Sequence, residues 1–354
     1  MSSRAFMILI AAIVVMIALF YTTPSEFEDV EQGQFLPGLK SAINDVENIT
    51  ITWADKELAA TLRRGETQWT IAEHSGYAAN VGKIRRNLIA LADADIIELK
   101  TADPALYDRL GVQDLEQTDA SGTRIDIHGL EKPISLIVGE TGVRGNMAYV
   151  REVGAAQSYL VSADLDLGDQ ATDWLVKEIV NFSASDIHSV TISHPDGSSL
   201  SIEKPSRDAP GFTVLNIPEG RELSYDTIAD PIGGLLTALT LDDVESATGL
   251  DLSDTDPVVA RFETFDGIVI EAEAYQLDDV TKVKFRVTAD EALANSFSET
   301  DESVPDADVQ AEGAGFSSII AQAEELNTRL DSWVFTLPSF KSDELIKKMD
   351  DLLK

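Results

Sequence analysis

The chain has 354 residues, 44% of them hydrophobic, and no cysteine. That length suits two or three domains, and the lack of thiols excludes disulfides, thiolate metal sites, cysteine nucleophiles and a lipidated cysteine anchor. The 62 acidic side chains outnumber the 27 Lys and Arg and give a formal net charge of −35. Because such a surface repels phosphate backbones, we expect no nucleic acid partner. A salty habitat also selects acidic surfaces, so the charge alone does not identify a partner.

An apolar run near the N-terminus predicts a membrane anchor. Ala5–Tyr21 (AFMILIAAIVVMIALFY) contains no polar break, and as a helix it would reach roughly 25 Å, the short end of a membrane span. Arg4 precedes the run and acidic residues follow it from Glu26, which predicts a cytoplasmic N-terminus and an exported remainder. A cleaved signal peptide is the alternative, but the residues after the run lack an A-x-A pattern. We therefore expect a single-pass protein of the inner (cytoplasmic) membrane with its bulk in the periplasm.

Residues 25–115 are predicted to form the first of three repeats, each a strand meander with one covering helix. Alternating apolar residues from Ile49 to Trp53 indicate a strand, and LAATLRR and Trp69–Ile71 indicate two more. Asn80 is placed to cap a helix, and a strand is expected at Ile96–Leu99. The apolar face of that helix would consist of Val81, Ile84, Leu88 and Leu91.

The stretch TADPALYDRLGV, residues 101–112, concentrates polar and aromatic residues but is predicted to be scaffold. Asp103 followed by Pro104 is typical of a helix start. Gly111 is typical of a left-handed helix end. The side chains expected to face the sheet are Ala105, Leu106 and Leu110.

Residues 185–250 and 251–354 are predicted to be the second and third repeats. In the second, strands are expected around Val190 and Leu200, and Phe212 takes the buried place of Trp69. A helix would start at Pro231 with Asp230 as its cap, weakened by Gly233–Gly234, before a strand at Val244. In the third, VVARFETFDGIVIEAEAY, TKVKFRVTAD and SWVF indicate strands, and Ser342 would cap a final helix.

Two segments fall outside the repeats. Residues 116–184 read as a β-rich middle segment of four short strands, followed by a linking helix at TDWLVKEIVNF. The acidic, polar stretch near 297–313 is predicted to be a disordered insertion. With residues 1–24 as the anchor, the fold class is α+β: an N-terminal transmembrane helix, then repeated antiparallel-sheet-plus-helix units around a β-rich middle.

No motif predicts a catalytic, cofactor or metal site. Gly139–Asn146 (GETGVRGN) precedes a predicted strand rather than a helix, so a hairpin loop is favoured over a phosphate loop. The four histidines lack metal-ligand spacing, and DLSDTDP lacks the glycine and glutamate of a calcium loop. No G-x-S-x-G elbow occurs. We expect no cofactor and no enzyme activity.

Basic residues form one candidate interaction surface. KIRRNL is the densest basic stretch, and the predicted repeat brings two further arginines near it. This surface could meet an acidic partner, although such residues more often form the solvated face of a helix. Its members are Arg63, Arg64, Lys83, Arg85 and Arg86.

The order of several segments resembles the domain-of-unknown-function 4340 family. GETQW, LIALADADI and TADPALYDRLGV come first, then ISLIVGE, MAYVRE, SYLVSADL and DWLVKEIVNF, and later GREL. The resemblance covers the chain beyond the anchor, apart from the insertion, and implies an exported, membrane-anchored protein. It also implies genes of a gliding-motility-type ABC transporter and of a second large exported subunit as frequent neighbours. The family brings no established catalytic residues to this chain.

These observations favour a non-catalytic accessory protein, held in the membrane by Ala5–Tyr21 and associated with an ABC-type transporter complex. The expected partners are the transporter permease and a second exported subunit. One alternative is a protein that binds envelope polysaccharide or peptidoglycan fragments. Another is an envelope hydrolase that uses scattered carboxylates, which the missing motifs disfavour.

Overall fold

The computed structural model describes residues 33–54, 59–142, 145–252, 255–277, 280–298 and 309–354. The predicted anchor, Ala5–Tyr21, lies outside these residues. Within the described ranges, no helix combines the length and apolar character that crossing a membrane requires. The described chain is α+β, because mainly antiparallel strands are accompanied by a few helices.

The strands and helices alternate irregularly along the chain. In chain order the strands are β1 (Asn48–Trp53), β2 (Ala59–Arg64), β3 (Trp69–Ile71), β4 (Tyr77–Ala78), β5 (Ile96–Leu99), β6 (Thr123–His128), β7 (Ile134–Thr141), β8 (Ala148–Glu152), β9 (Ser158–Val161), β10 (Glu178–Val180), β11 (Ile187–Ser193), β12 (Ser199–Glu203), β13 (Thr213–Val214), β14 (Leu239–Thr240), β15 (Asp243–Ser246), β16 (Val258–Thr264), β17 (Ile268–Leu277), β18 (Val280–Ala289) and β19 (Trp333–Thr336). The α-helices are α1 (Leu39–Ala42), α2 (Val81–Ala92), α3 (Asp230–Gly233), α4 (Glu291–Ser298), α5 (Val309–Leu330), α6 (Ser339–Leu345) and α7 (Met349–Leu352).

The chain divides into two compact units. Unit 1 consists of Met1–Glu57 and Arg85–Leu167, and unit 2 consists of Leu58–Ile84 and Gly168–Lys354. This division by contacts does not test the predicted segments 1–24, 25–115, 116–184, 185–250 and 251–354, which stay predictions.

Unit 1 is built on antiparallel strands in the order β1–β6–β7–β8–β9–β5. Alternate residues of β1 and β6, such as Ile51 and Ile127, are fully buried, because successive side chains of a strand point to opposite faces. The four strands predicted for the middle segment are present as β6 to β9. The alternation of hydrophobic and polar residues was therefore sufficient to predict these four strands.

Helix α2 begins as predicted after Asn80. The Asn80 side-chain oxygen accepts a hydrogen bond from the Lys83 backbone N–H at 3.0 Å. Ile84, Leu88 and Leu91 are buried as predicted, whereas Val81 is exposed. Val81 is the first residue of the helix and lies outside the core, unlike the three apolar residues that follow it on the same face.

The stretch 101–112 is a single 3₁₀-helix, Pro104–Leu110, with both predicted ends. Asp103 accepts from the Ala105 N–H at 3.0 Å, and Gly111 ends the helix with φ +67°. The predicted inward face is confirmed only for Leu110, which is partly buried and packs against the buried cluster of Tyr107, Val112 and Ile137. Ala105 and Leu106 are exposed, and Tyr107 is the buried residue of the helix. A 3₁₀-helix has three residues per turn, so α-helical spacing does not identify its inner side.

Unit 2 contains an eight-stranded antiparallel sheet in the order β13–β12–β11–β16–β17–β18–β19–β15. Helix α3 packs on β11, and helix α6 packs on β16 and β17. Alternate strand residues such as Phe262, Ile270 and Val287 are fully buried. The unit also holds the antiparallel set β2–β3–β4 and the pair β10–β14.

The linking helix predicted at TDWLVKEIVNF is wrong. Residues Ala171–Trp174 form one 3₁₀ turn, and Glu178–Val180 is strand β10, paired with β14. Trp174, Leu175, Ile179 and Val180 are buried. Their spacing fits a helix, but pairing with β14 overrides that local preference, as strand pairing of β-branched residues often does.

The helix predicted from Pro231 is only the single turn α3. Asp230 lies inside it, and its side chain accepts from the Phe212 N–H at 2.9 Å instead of capping the helix. Gly233 is the last residue of this turn and Gly234 follows it, and this pair lowers the helix propensity at the end of the turn. Phe212 is buried as predicted, whereas Trp69 is only half-buried, so the predicted burial of Trp69 is wrong.

The C-terminal predictions need two corrections. The final helix is split into α6 and α7, and Ser342 lies inside α6, where its hydroxyl donates to the Ser339 carbonyl at 3.1 Å, so it is not a cap. Of the predicted disordered insertion 297–313, residues 299–308 lie outside the described residues. Residues 309–313 belong to helix α5, which the Ala- and Glu-rich sequence after Val309 favours.

Candidate functional site

The five basic residues predicted as an interaction surface do not share one environment. Arg63 and Arg64 are exposed on β2 in unit 2, and Arg85 and Arg86 are exposed on α2 in unit 1. Lys83 is buried, with its Nζ 4.9 Å from the centre of the Trp174 ring. Lys83 is therefore wrong as a surface residue, because its ammonium packs on an aromatic face. The interaction role of the four arginines stays a prediction.

The glycine-rich stretch Gly139–Asn146 connects two antiparallel strands. Its first three residues are the end of strand β7, β8 follows it, and the Gly142 N–H donates to the Met147 carbonyl at 2.8 Å. The predicted hairpin is confirmed. A phosphate loop would need a helix after the loop.

The histidines of unit 2 are engaged in structural contacts. His188 packs against Phe265 and Phe297, and His194 Nε2 lies 3.1 Å from the Lys347 carbonyl oxygen. Among the described residues, no group of three or more His, Asp or Glu side chains is arranged to hold a metal ion.

One side of the eight-stranded sheet is a charged surface. Along β16, β17 and β18, alternate side chains point inward and are buried, while those between them point outward and, apart from the buried Val269, are partly or fully accessible. We call this outward surface the polar face. Its members are Arg261, Glu263, Glu271, Glu273, Tyr275, Lys282, Lys284 and Arg286.

Ion pairs order part of the polar face. Arg261 donates to Glu263 and to Glu271, each at 2.9 Å. The Tyr275 hydroxyl donates to Glu273 at 2.9 Å, and burial together with this carboxylate raises the pKa of Tyr275 to about 12. Arg261–Glu271 joins β16 to β17, and a cross-strand pair of this kind holds its side chains in one orientation.

The strand β18 contributes three cations to the polar face. Lys282 is held by Glu245, with Nζ and Oε1 2.6 Å apart. Lys284 and Arg286 lie opposite Glu273 and Glu271 in the register of β17 and β18. In the part of the chain that the structure describes, neither forms an ion pair. The strand therefore presents a positive stripe on a chain of strongly negative net charge.

A histidine–carboxylate pair closes the outer edge of β15. His74 Nδ1 lies 3.2 Å from Asp243 Oδ1 and 3.2 Å from the Val244 carbonyl oxygen. The Val244 N–H donates to the Asp243 carboxylate at 2.7 Å. Both backbone groups of Val244 thus have side-chain partners, which closes a sheet edge that would otherwise be open to another strand.

The same pair has perturbed ionisation. The hydrogen bond with Asp243 raises the pKa of His74 above 6.5, although burial acts in the opposite direction. The hydrogen bond with His74 lowers the pKa of Asp243 below 3.8. Perturbed titration marks functional sites and structural ion pairs alike. Here the shared contact with the Val244 backbone indicates a structural role.

The polar face was missed in the sequence. Its signal is the alternation of charged and apolar residues in VARFE, IEAEAY and KVKFRV, which predicts strands with one solvated side. These three strands are neighbours in one sheet, so charged residues that are distant in the sequence lie together on one surface. Such a surface can recognise a charged partner, and no covalent chemistry follows from it.

Comparison with known proteins gives one match. Residues 69–258, more than half of the chain, match the family described as Domain of unknown function (DUF4340). The chain belongs to this family. No curated protein and no solved structure matches it. DUF4340 membership confirms the resemblance seen in the segment order, and its description names no activity.

Proposed function

We propose that this DUF4340 protein is a membrane-anchored binding protein of the cell envelope, without a catalytic role. The apolar run Ala5–Tyr21 would hold it in the inner membrane with a cytoplasmic N-terminus. The folded units would then act in the periplasm. Their task would be to bind another envelope protein.

The observation that supports this proposal is the polar face of the eight-stranded sheet. Helices α3 and α6 pack on the sheet, while the polar face carries fixed charges in register across three strands. Complementary fixed charges set the orientation and the association rate of a protein partner more than they set the affinity. Lys284 supplies a cation that no carboxylate of the described residues pairs, so it fits an acidic segment of the partner.

The partner class comes from the family resemblance. We propose the permease of an ABC-type transporter, or a second exported subunit that works with it. A partner with an acidic exposed segment would meet the stripe on β18, while the rest of this acidic chain would repel incorrect orientations.

The test is chemical crosslinking of the tagged full-length protein in cells, followed by mild detergent extraction and mass spectrometry. Lys284→Glu should reduce the crosslinked partner about tenfold, because a like charge then faces the acidic segment. The matched control is Lys132→Glu, an exposed lysine of unit 1 with the same change of charge. The control should leave the partner signal unchanged.

The four arginines provide the competing surface. If Arg63→Glu with Arg64→Glu, or Arg85→Glu with Arg86→Glu, removes the partner while Lys284→Glu keeps it, the polar face is not the binding surface. If all these variants retain the partner at the level of the Lys132→Glu control, the charge-directed proposal is wrong.

A further inference from the structure

Strand β18 and helix α5 leave a groove between them. Strand β19 pairs with β18 only at Lys282 and Val283, and helix α5 also packs along β18. The Asn327 amide accepts from the Val287 N–H at 2.8 Å and donates to the Val287 carbonyl, which fixes the end of the helix against the strand. The groove has a volume of about 580 Å³ and is lined by Arg286, Thr288, Asn327, Thr328, Asp331 and Ser332.

Two opposite charges line this groove without pairing. Arg286 lies on β18 and Asp331 directly follows α5, and both are exposed. Neither forms an ion pair with any residue in the described ranges. Other arginines do pair with carboxylates, as Arg207 does with Asp186 and Asp266. Arg286 and Asp331 therefore border one space while each keeps its charge free for a third group.

Arg286 and Asp331 favour different chemical groups of a ligand. A guanidinium offers parallel N–H donors that match a carboxylate. Asp331 lies at the helix C-terminus, where the last carbonyl groups add partial negative charge, so this end favours an ammonium group. The hydroxyls of Thr288 and Ser332, which make no side-chain hydrogen bond within the described part of the chain, could bind polar atoms between them.

We propose that this groove binds a small zwitterion, a free amino acid or a dipeptide, with its carboxylate on Arg286 and its ammonium on Asp331. The volume falls in the range of roughly 300–1,000 Å³ that small-molecule sites occupy. No aromatic ring is among the lining residues, so the stacking platform that aromatic side chains provide is missing for a sugar. A ligand with a single charge would leave one side of the groove unpaired. Arg286 also belongs to the positive stripe of β18, so this groove shares one residue with the proposed partner surface, and dipeptide binding by the purified protein tests the groove separately from that partner.

The test is isothermal titration of the purified full-length protein in detergent with glycylglycine and its blocked forms. Free glycylglycine should bind at least about tenfold more tightly than the N-acetylated or the C-amidated form, because each block removes one charge-assisted contact. Arg286→Gln should abolish the preference for a free C-terminus. Asp331→Asn should abolish the preference for a free N-terminus.

The matched controls are Arg109→Gln and Asp108→Asn, adjacent exposed residues of unit 1. Both should bind glycylglycine like the wild type. Equal binding of free and blocked dipeptides, or no saturable binding of glycylglycine, would overturn the proposal. Unchanged preferences in both groove variants would place any binding elsewhere.

Discussion

His74 and Asp243 make the stability of unit 2 depend on pH. The pKa of His74 is raised above 6.5, so its contribution is fully present below pH 6.5 and is lost as the pH rises through the raised value. The pKa of Asp243 is lowered below 3.8, so its contribution is present above pH 3.8 and is lost as the pH falls through the lowered value. The pair should therefore stabilise the fold most between these two limits.

This first prediction is tested by denaturant unfolding of wild type and His74→Gln. The variant should lose more stability at about pH 5 than at about pH 8, because the contribution of the charged His74 imidazole is lost as the pH rises through its raised pKa. His128→Gln is the control, since His128 is exposed and should show no such difference. An equal loss at both pH values would mean that the charge of His74 does not support the β15 edge.

Gly233 is required by the ring of Phe212. A methyl group at Gly233 would overlap that ring, whereas at Gly234 the nearest atoms are the Asp230 carbonyl oxygen at 3.3 Å and Ala184 Cβ at 3.9 Å. We predict that Gly233→Ala costs about 1–3 kcal/mol, the usual range for overpacking a core. Gly234→Ala is the neighbouring control and should cost less. Denaturant melts of both variants measure the difference.

The same contact can be checked by rescue. Phe212→Leu removes the ring that the new methyl group meets, so it should cost less in the Gly233→Ala background than in the wild type. Such coupling between residues in contact is what a double-mutant cycle detects. Strict additivity of the two changes would show that Gly233 is needed for another reason.

At the scale of elements, Asn327 attaches helix α5 to β18. Its amide binds both the N–H and the carbonyl of Val287. We predict that Asn327→Leu costs about 1–3 kcal/mol, because two backbone groups then lose their partner. Hydrogen exchange at the Val287 amide should become faster. Glu325→Leu, an exposed position of the same helix, should leave that exchange unchanged, and an equal effect of both variants would contradict the assignment.

Most strands were predictable from the sequence, as was the short helix after Asp103, whereas the helices expected at TDWLVKEIVNF and from Pro231 were not. Alternation places Ile49, Ile51 and Trp53 on one buried face of β1, and this period-two signal depends only on local geometry. Caps such as Asn80 and Asp103 are equally local, and both are confirmed. The sequence therefore predicted an element correctly where its residue pattern is compatible with only one type of secondary structure.

Where a segment could form either a helix or a strand, its tertiary packing determines which one forms. The segment around Ile179 has helical spacing, yet it pairs with β14, and a single sequence does not show that partner. Ser342 looks like a cap, but Pro338 precedes the helix, which starts earlier at Ser339. The groove depended on contacts distant in sequence, since Arg286 and Asp331 border one space only after α5 packs on β18.

At the scale of the whole molecule, a net charge of −35 should make folding salt-dependent. Like charges repel within the compact state, and the Debye length shrinks from about 30 Å at 0.01 M to about 3 Å at 1 M salt. We predict a melting temperature that rises with NaCl over this range. Sucrose at matched osmolarity is the control for solute exclusion. A melting temperature that does not respond to NaCl would show that acidic residues are spaced widely enough to avoid repulsion.

The anchor prediction concerns how the whole protein is held in the cell. The apolar run Ala5–Tyr21 is predicted to span the hydrocarbon core, and Arg4 before it predicts a cytoplasmic N-terminus. Full-length protein should therefore stay in the membrane pellet after an alkaline carbonate wash, and protease added to spheroplasts should digest its C-terminal bulk. Ile13→Asp with Val14→Asp should release it or prevent its insertion, at about 3 kcal/mol for each buried charge. Thr23→Asp with Ser25→Asp, just beyond the run, should leave it in the pellet. A mature N-terminus near Ser25, or wild-type protein in the carbonate supernatant, would show that the run is a cleaved signal peptide or does not span the membrane.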